Sequence, residues 1–157
     1  MSERRLLKEY QVVKKELGNH KNIISSLEPI DSDDLTNWTA TILGPPNTPY
    51  HGHSFDLRIH LTPEYPLKPP QVTFSAYKMP HCNIEFKTGK ICLNILDNAN
   101  WSPVWNLLTV VLAIYQLLSD PVTDSPLNID LSNILKIKDT SAYYGLIEYY
   151  LNNKSDK

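Results

Sequence analysis

Cysteine is scarce in this chain of 157 residues: only Cys82 and Cys92 occur, and neither stands in a Cys-x2-Cys or similar ligand spacing. That excludes a disulfide framework and fits a reducing compartment. His81, Cys82 and Cys92 lack a fourth ligand at a suitable spacing, so no metal site is expected. No run of 18 apolar residues exists and the first residues are charged, so neither a membrane span nor a secretory signal is expected. A surplus of either charge is also missing, the formal net charge being −2, and nothing global points to nucleic acid. There is no repeat, low-complexity tract or linker, and the length suits a single domain over residues 1–157.

What is present is strongly ordered along the chain. Residues 2–17 place Leu6, Leu7, Tyr10, Val13 and Leu17 at helical spacing, with Ser2 as a cap and Gly18-Asn19 as the stop. The basic residues Arg4, Arg5, Lys8, Lys14, Lys15 and Lys21 outnumber Glu3, Glu9 and Glu16 there, a face that an acidic partner could meet. Residues 23–27 read as a short strand and 31–34 as a turn. Residues 36–42 and 53–61 alternate; in the second, Phe55, Leu57, Ile59 and Leu61 face one way and Asp56, Arg58 and His60 the other, the period of a half-buried antiparallel strand. Gly44 to Gly52 is a proline- and glycine-rich connection. Pro63, Pro66, Pro69 and Pro70 make a stiff, exposed, irregular arm before a fourth strand at 71–74.

Residues 81–105 form an irregular stretch that presents the thiol of Cys92 between apolar neighbours after a Thr88-Gly89 turn. Ser102-Pro103 then opens a helix over 104–118 that is apolar on almost every side, and so belongs in the core. Two short helices follow, at 128–137 and 140–151, the second with Tyr143, Ile147 and Tyr150 on one face. Helix, grouped strands, then grouped helices predict an α+β fold with a four-stranded antiparallel meander.

Five motifs at these separations resemble the ubiquitin-conjugating enzyme family across nearly the whole chain. They are Trp38 within a strand; Gly44-Pro45 with Thr48-Pro49-Tyr50 and Gly52; Tyr65-Pro66-Leu67-Lys68-Pro69-Pro70; His81-x-Asn83 with Ile91-Cys92-Leu93; and Trp101-Ser102-Pro103 before the long helix. The resemblance implies that Cys92 accepts ubiquitin as a thioester from an activating enzyme and yields it to a substrate with a RING-type ligase. ATP is used by the activating enzyme, so no cofactor is implied here. Thioester exchange is near-balanced and needs an accessible, partly ionised thiol more than a dedicated base. Asn83 matches an asparagine held either to stabilise the oxyanion or to order the active-site loop, and a turn residue bonding its own backbone is the alternative. His81 is implied as a brace. Arg5 and Lys8 match the surface that meets the activating enzyme; Leu67, Ser102, Pro103 and Val104 match two loops that ligases grip.

Three departures stand out: Cys82 replaces a proline, Asn94 an aspartate, and Ser125 an acidic residue, with Asp124 as the residual carboxylate. They resemble the peroxisomal branch of the family. That branch modifies import receptors at the cytosolic face of the peroxisomal membrane and is held there by a membrane-anchored tether. The loss of acidic side chains is expected to weaken the preference for amines and make thiol acceptors relatively more competitive. Cys82 is expected to be a small buried packing residue. A ubiquitin-like modifier in place of ubiquitin, or a silent ubiquitin- or ligase-binding scaffold, are the other readings; retention of Cys92 and Asn83 argues against the scaffold.

Overall fold

The computed structural model describes residues 3–123 and 126–152. Four strands, β1 (Ile24–Asp31), β2 (Asp34–Leu43), β3 (Ser54–His60) and β4 (Gln71–Phe74), form an antiparallel meander in sequence order. Helix α1 (Glu3–Glu16) precedes them; α2 (Leu107–Ser119), α3 (Ile129–Lys136) and α4 (Thr140–Asn152) follow. The predicted fold class is therefore the observed one.

Alternation decides which face of the sheet is buried. Trp38 pairs with Ile59, Ala40 with Leu57 and Ile42 with Phe55, while Leu57 and Ile59 pair onward with Phe74 and Val72. All of these side chains are buried. Each large one contributes about 1.5–3 kcal/mol by leaving water. The opposite face is polar, with the Thr41 hydroxyl donating to Asp56 at 2.7 Å. Helices α1 and α2 both pack on β2, and α2 lies in the core as expected.

The strand at 23–27 proves longer, reaching Asp31. Pro29 is tolerated because β1 is an edge strand. Gly89 sits at φ 78° in the 88–89 turn, where an added Cβ would lie 1.9 Å from the Phe74 carbonyl oxygen, so the backbones touch only because the residue is glycine.

Three expectations need correction. In α1, Leu7 is 53% exposed and Glu9 holds the buried position instead, because Glu9 has partners far along the chain. The arm at 63–70 is irregular but not free: Tyr65 and Pro70 are buried. The long helix does not open at Ser102-Pro103. Trp105 N–H donates to the Ser102 carbonyl in a turn, and the helix starts at Leu107 behind an Asn106–Thr109 capping box. The Ser2 cap lies outside the described residues.

Candidate active site

A short folded-back segment fixes the stretch that carries Cys92. His81 bridges to Ile84 and Ile84 to Ile91, while Lys90 bridges to Thr73 of β4. The Cys92 N–H donates to the Asn83 carbonyl at 2.8 Å. Past Cys92 the chain makes a 3-10 turn, Asn94–Leu96, and the Asp97 carbonyl accepts the N–H of Trp101 at 2.9 Å. Cys92 is partly exposed and opens into a cavity of about 330 Å³ lined also by Asn83, Leu93, Asn94, Asp97, Leu117 and Val122. Cys82 is fully buried.

Residues 81–83 clamp the far wall of that cavity. The Asn83 N–H donates to His81 Nδ1 at 3.0 Å, so Nε2 carries the ring proton and donates to the Leu117 carbonyl at 2.8 Å. Burial pulls the His81 pKa down to about 4, and the ring stays neutral near pH 7. Both nitrogens are thus engaged with backbone, the geometry of a brace. The Asn83 amide faces Val122 in both directions: Nδ2 donates to the Val122 carbonyl at 2.6 Å and Oδ1 accepts the Val122 N–H at 2.7 Å. The Cys82 thiol donates to the same Oδ1 at 3.3 Å, and its carbonyl accepts the N–H groups of Leu127 and Asn128 just before α3. Burial pushes the Cys82 thiol up to about 11, which keeps it protonated. Cys82 is therefore buried as expected, but it is also a donor.

Asn94 is exposed at the cavity rim. Asp124 and Ser125 lie outside the described residues. Asp97 was not singled out from the sequence, yet it brings a carboxylate to the cavity; its Oδ1 accepts the Ala99 N–H at 3.0 Å, an Asx turn that the Asp-Asn-Ala run could have signalled. Among the described residues, no group of three His, Cys, Asp or Glu could hold a metal ion.

A second surface lies at the Leu67 and Ser102-Pro103-Val104 loops. Leu67 is 80% and Val104 82% exposed, with Pro103 also exposed and Ser102 half-buried. The Trp101 indole N–H joins the loops by donating to the Pro66 carbonyl at 2.8 Å. Lys8 is exposed on α1. Arg5, by contrast, turns inward: Nη1 donates to the Pro103 carbonyl at 2.9 Å, Nη2 to that of Trp105 at 2.6 Å, and Nε faces Glu9 at 3.4 Å. Glu9 in turn accepts the Tyr65 hydroxyl on Oε2 and the Leu107 N–H, at 3.2 Å, on Oε1. Nothing in the spacing of α1 announces Glu9, since both its carboxylate and its burial depend on partners 56 and 98 residues away.

The profile of the ubiquitin-conjugating enzyme family matches residues 5–150. "Ubiquitin-conjugating enzyme E2-21 kDa" of Saccharomyces cerevisiae is 45% identical over 154 residues, covering 94% of this chain and 84% of that protein. "Protein PEROXIN-4" of Arabidopsis thaliana is 43% identical over 149 residues, covering 95% and 92%. The crystal structure of the H. polymorpha ubiquitin conjugating enzyme Pex4p, in complex with the soluble domain of Pex22p, superposes with a TM-score of 0.88 at 41% identity, covering 96% of each chain. No helix among the described residues is long and apolar enough to cross a membrane.

Proposed function

Because the chain belongs to the ubiquitin-conjugating enzyme family and is an enzyme of that class, we propose that Cys92 is the residue that carries ubiquitin. The observation that supports this most is the contrast between the two thiols: Cys92 opens into a cavity and Cys82 is sealed and held protonated. In this reading the Cys92 thiolate attacks the carbonyl carbon of the thioester on the activating enzyme. That enzyme's thiolate leaves, and ubiquitin is now bonded to Cys92 Sγ. An acceptor nucleophile then attacks the same carbon and the Cys92 thiolate departs. The activating enzyme uses the ATP, upstream of both exchanges.

Asn83 serves this chemistry by holding Val122, and so the cavity wall, rather than by pointing its amide at the reacting oxygen. Its bonds to both backbone groups of Val122 support that choice. Leu67 and the 102–104 turn are the surfaces for a RING-type ligase, and Lys8 for the activating enzyme. The resemblance to Pex4p and PEROXIN-4 supports work at the cytosolic face of the peroxisomal membrane, through a membrane-anchored partner that would take the place of the Pex22p soluble domain in that complex. The acceptor is then a peroxisomal import receptor, with a cysteine as the modified residue; the uncharged Asn94 at the cavity rim supports a thiol acceptor.

The test is to replace the resident enzyme in cells by this chain or by its Cys92→Ala form. A ubiquitin adduct on the import receptor that reducing agent removes, present only with Cys92, is expected. A receptor left unmodified by the intact chain would contradict the substrate assignment.

A further inference from the structure

The two ligase-facing tips have little regular structure of their own. Leu67 rides on turns closed by its N–H and that of Lys68 to the Glu64 carbonyl, and Val104 on the turn from Ser102 to Trp105. Their relative position is set from inside. The fork of Arg5 reaches the carbonyls of Pro103 and Trp105, two residues apart, behind the Val104 tip. Glu9, one turn further along α1 and 1% exposed, takes the Tyr65 hydroxyl behind the Leu67 tip and the Leu107 N–H at the start of α2. Arg5 and Glu9 are themselves paired, and the Arg5 guanidinium lies 5.3 Å from the Tyr65 ring centre.

One buried carboxylate and one guanidinium therefore join α1, both tips and the first turn of α2. A buried carboxylate held by a half-buried guanidinium tolerates little displacement, because moving the cation strands the anion. We propose that the Arg5–Glu9 pair is the positioning element that sets the Leu67 and Val104 tips for a ligase, and that Arg5 acts inside the molecule rather than as a charge offered to a partner. The proposal rests on the reading of those tips as ligase contacts. Lysine cannot substitute for Arg5 in this role, since an ammonium is a point donor and not a planar fork.

The experiment uses the full chain loaded with ubiquitin and free cysteine as acceptor. Discharge is measured with and without an isolated RING domain chosen because it stimulates the unaltered protein. In Glu9→Gln and Arg5→Lys, the RING concentration giving half-maximal stimulation should rise roughly tenfold. For Glu9→Gln and Tyr65→Phe, discharge without the RING domain and the maximum at saturating RING should stay at the parent's values. Amide hydrogen exchange in Glu9→Gln and Tyr65→Phe should quicken at 62–70 and 101–107 and not in β2 or β3. If Glu9→Gln does not fold, Arg5→Lys carries the test of the pair, and Tyr65→Phe, which keeps the ion pair, the test of the tie to the Leu67 tip. An Arg5→Lys protein that responds like the parent would overturn the proposal, as would exchange that quickens equally throughout the sheet. If no RING domain stimulates even the parent, it is the reading of the tips that fails, and the exchange pattern still decides whether the pair holds them.

Discussion

The N–H of Cys92 donates to the carbonyl of Asn83 at 2.8 Å, so the Cys92 backbone and the residue whose amide grips Val122 are tied directly to each other. Asn83→Asp tests that grip. Its carboxylate could accept from the Val122 N–H but would set an anion against the Val122 carbonyl, whereas the protonated acid could donate there. A carboxyl so placed titrates above its usual range. The deficit in discharge relative to the parent is expected to be larger at pH 8 than at pH 5.5. A ratio independent of pH would show that Asn83 does not work through Val122.

His81 should make stability fall with acid. Its folded pKa of about 4 lies below the unfolded value of 6.5, so between those limits the unfolded chain binds the proton that the native ring refuses. The contribution is fully present above pH 6.5 and is lost progressively down to about pH 4. Its size is about 3 kcal/mol across that window. Urea unfolding of the parent and of His81→Gln, measured at steps from pH 7.5 to 4.5, should show a steeper decline in the parent. Parallel curves would contradict a buried neutral histidine.

Thiol accessibility should separate the two cysteines cleanly. Cys82 is sealed and its thiol raised to about 11, so native alkylation should label Cys92 alone, with Cys82 labelled only after denaturation. Mass spectrometry of the native protein after iodoacetamide is expected to find one modified cysteine. Labelling of Cys82 at a comparable rate would show that the 81–83 segment opens readily.

Charge at the cavity rim should tune acceptor preference. Asp97 is the carboxylate that the described residues bring to the cavity, and Asn94 stands on the same rim. Asp97→Asn is expected to lower discharge to free lysine relative to free cysteine by roughly threefold, the scale of one exposed charge, and Asn94→Asp to raise it. Unchanged lysine-to-cysteine ratios in both variants would remove the electrostatic account of thiol preference.

Much of this was legible in the residues because it is local. The alternation of Phe55, Leu57 and Ile59 identifies β3 and its buried face, and Thr88-Gly89 marks the turn that leads into Cys92. What was not legible depends on distant partners. Ser102-Pro103 carries a helix-start signal, but Arg5, 98 residues earlier, holds the Pro103 carbonyl and Asn106 caps the helix instead. Glu9 looks like one more charge on an amphipathic helix until Tyr65 and Leu107 arrive at its carboxylate. Asp97 enters the cavity only because the 3-10 turn at Asn94–Leu96 folds it back.

The most direct measurement is the adduct itself. The chain is incubated with ATP, an activating enzyme and ubiquitin, and run on non-reducing and reducing gels beside Cys92→Ala, Cys92→Ser and Cys82→Ala. A single ubiquitin adduct is expected on the parent and on Cys82→Ala, removed by thiol, absent from Cys92→Ala, and persisting under reduction in Cys92→Ser as an oxygen ester. An adduct that survives Cys92→Ala, or one that depends on Cys82, would contradict the assignment of Cys92 as the residue that carries ubiquitin.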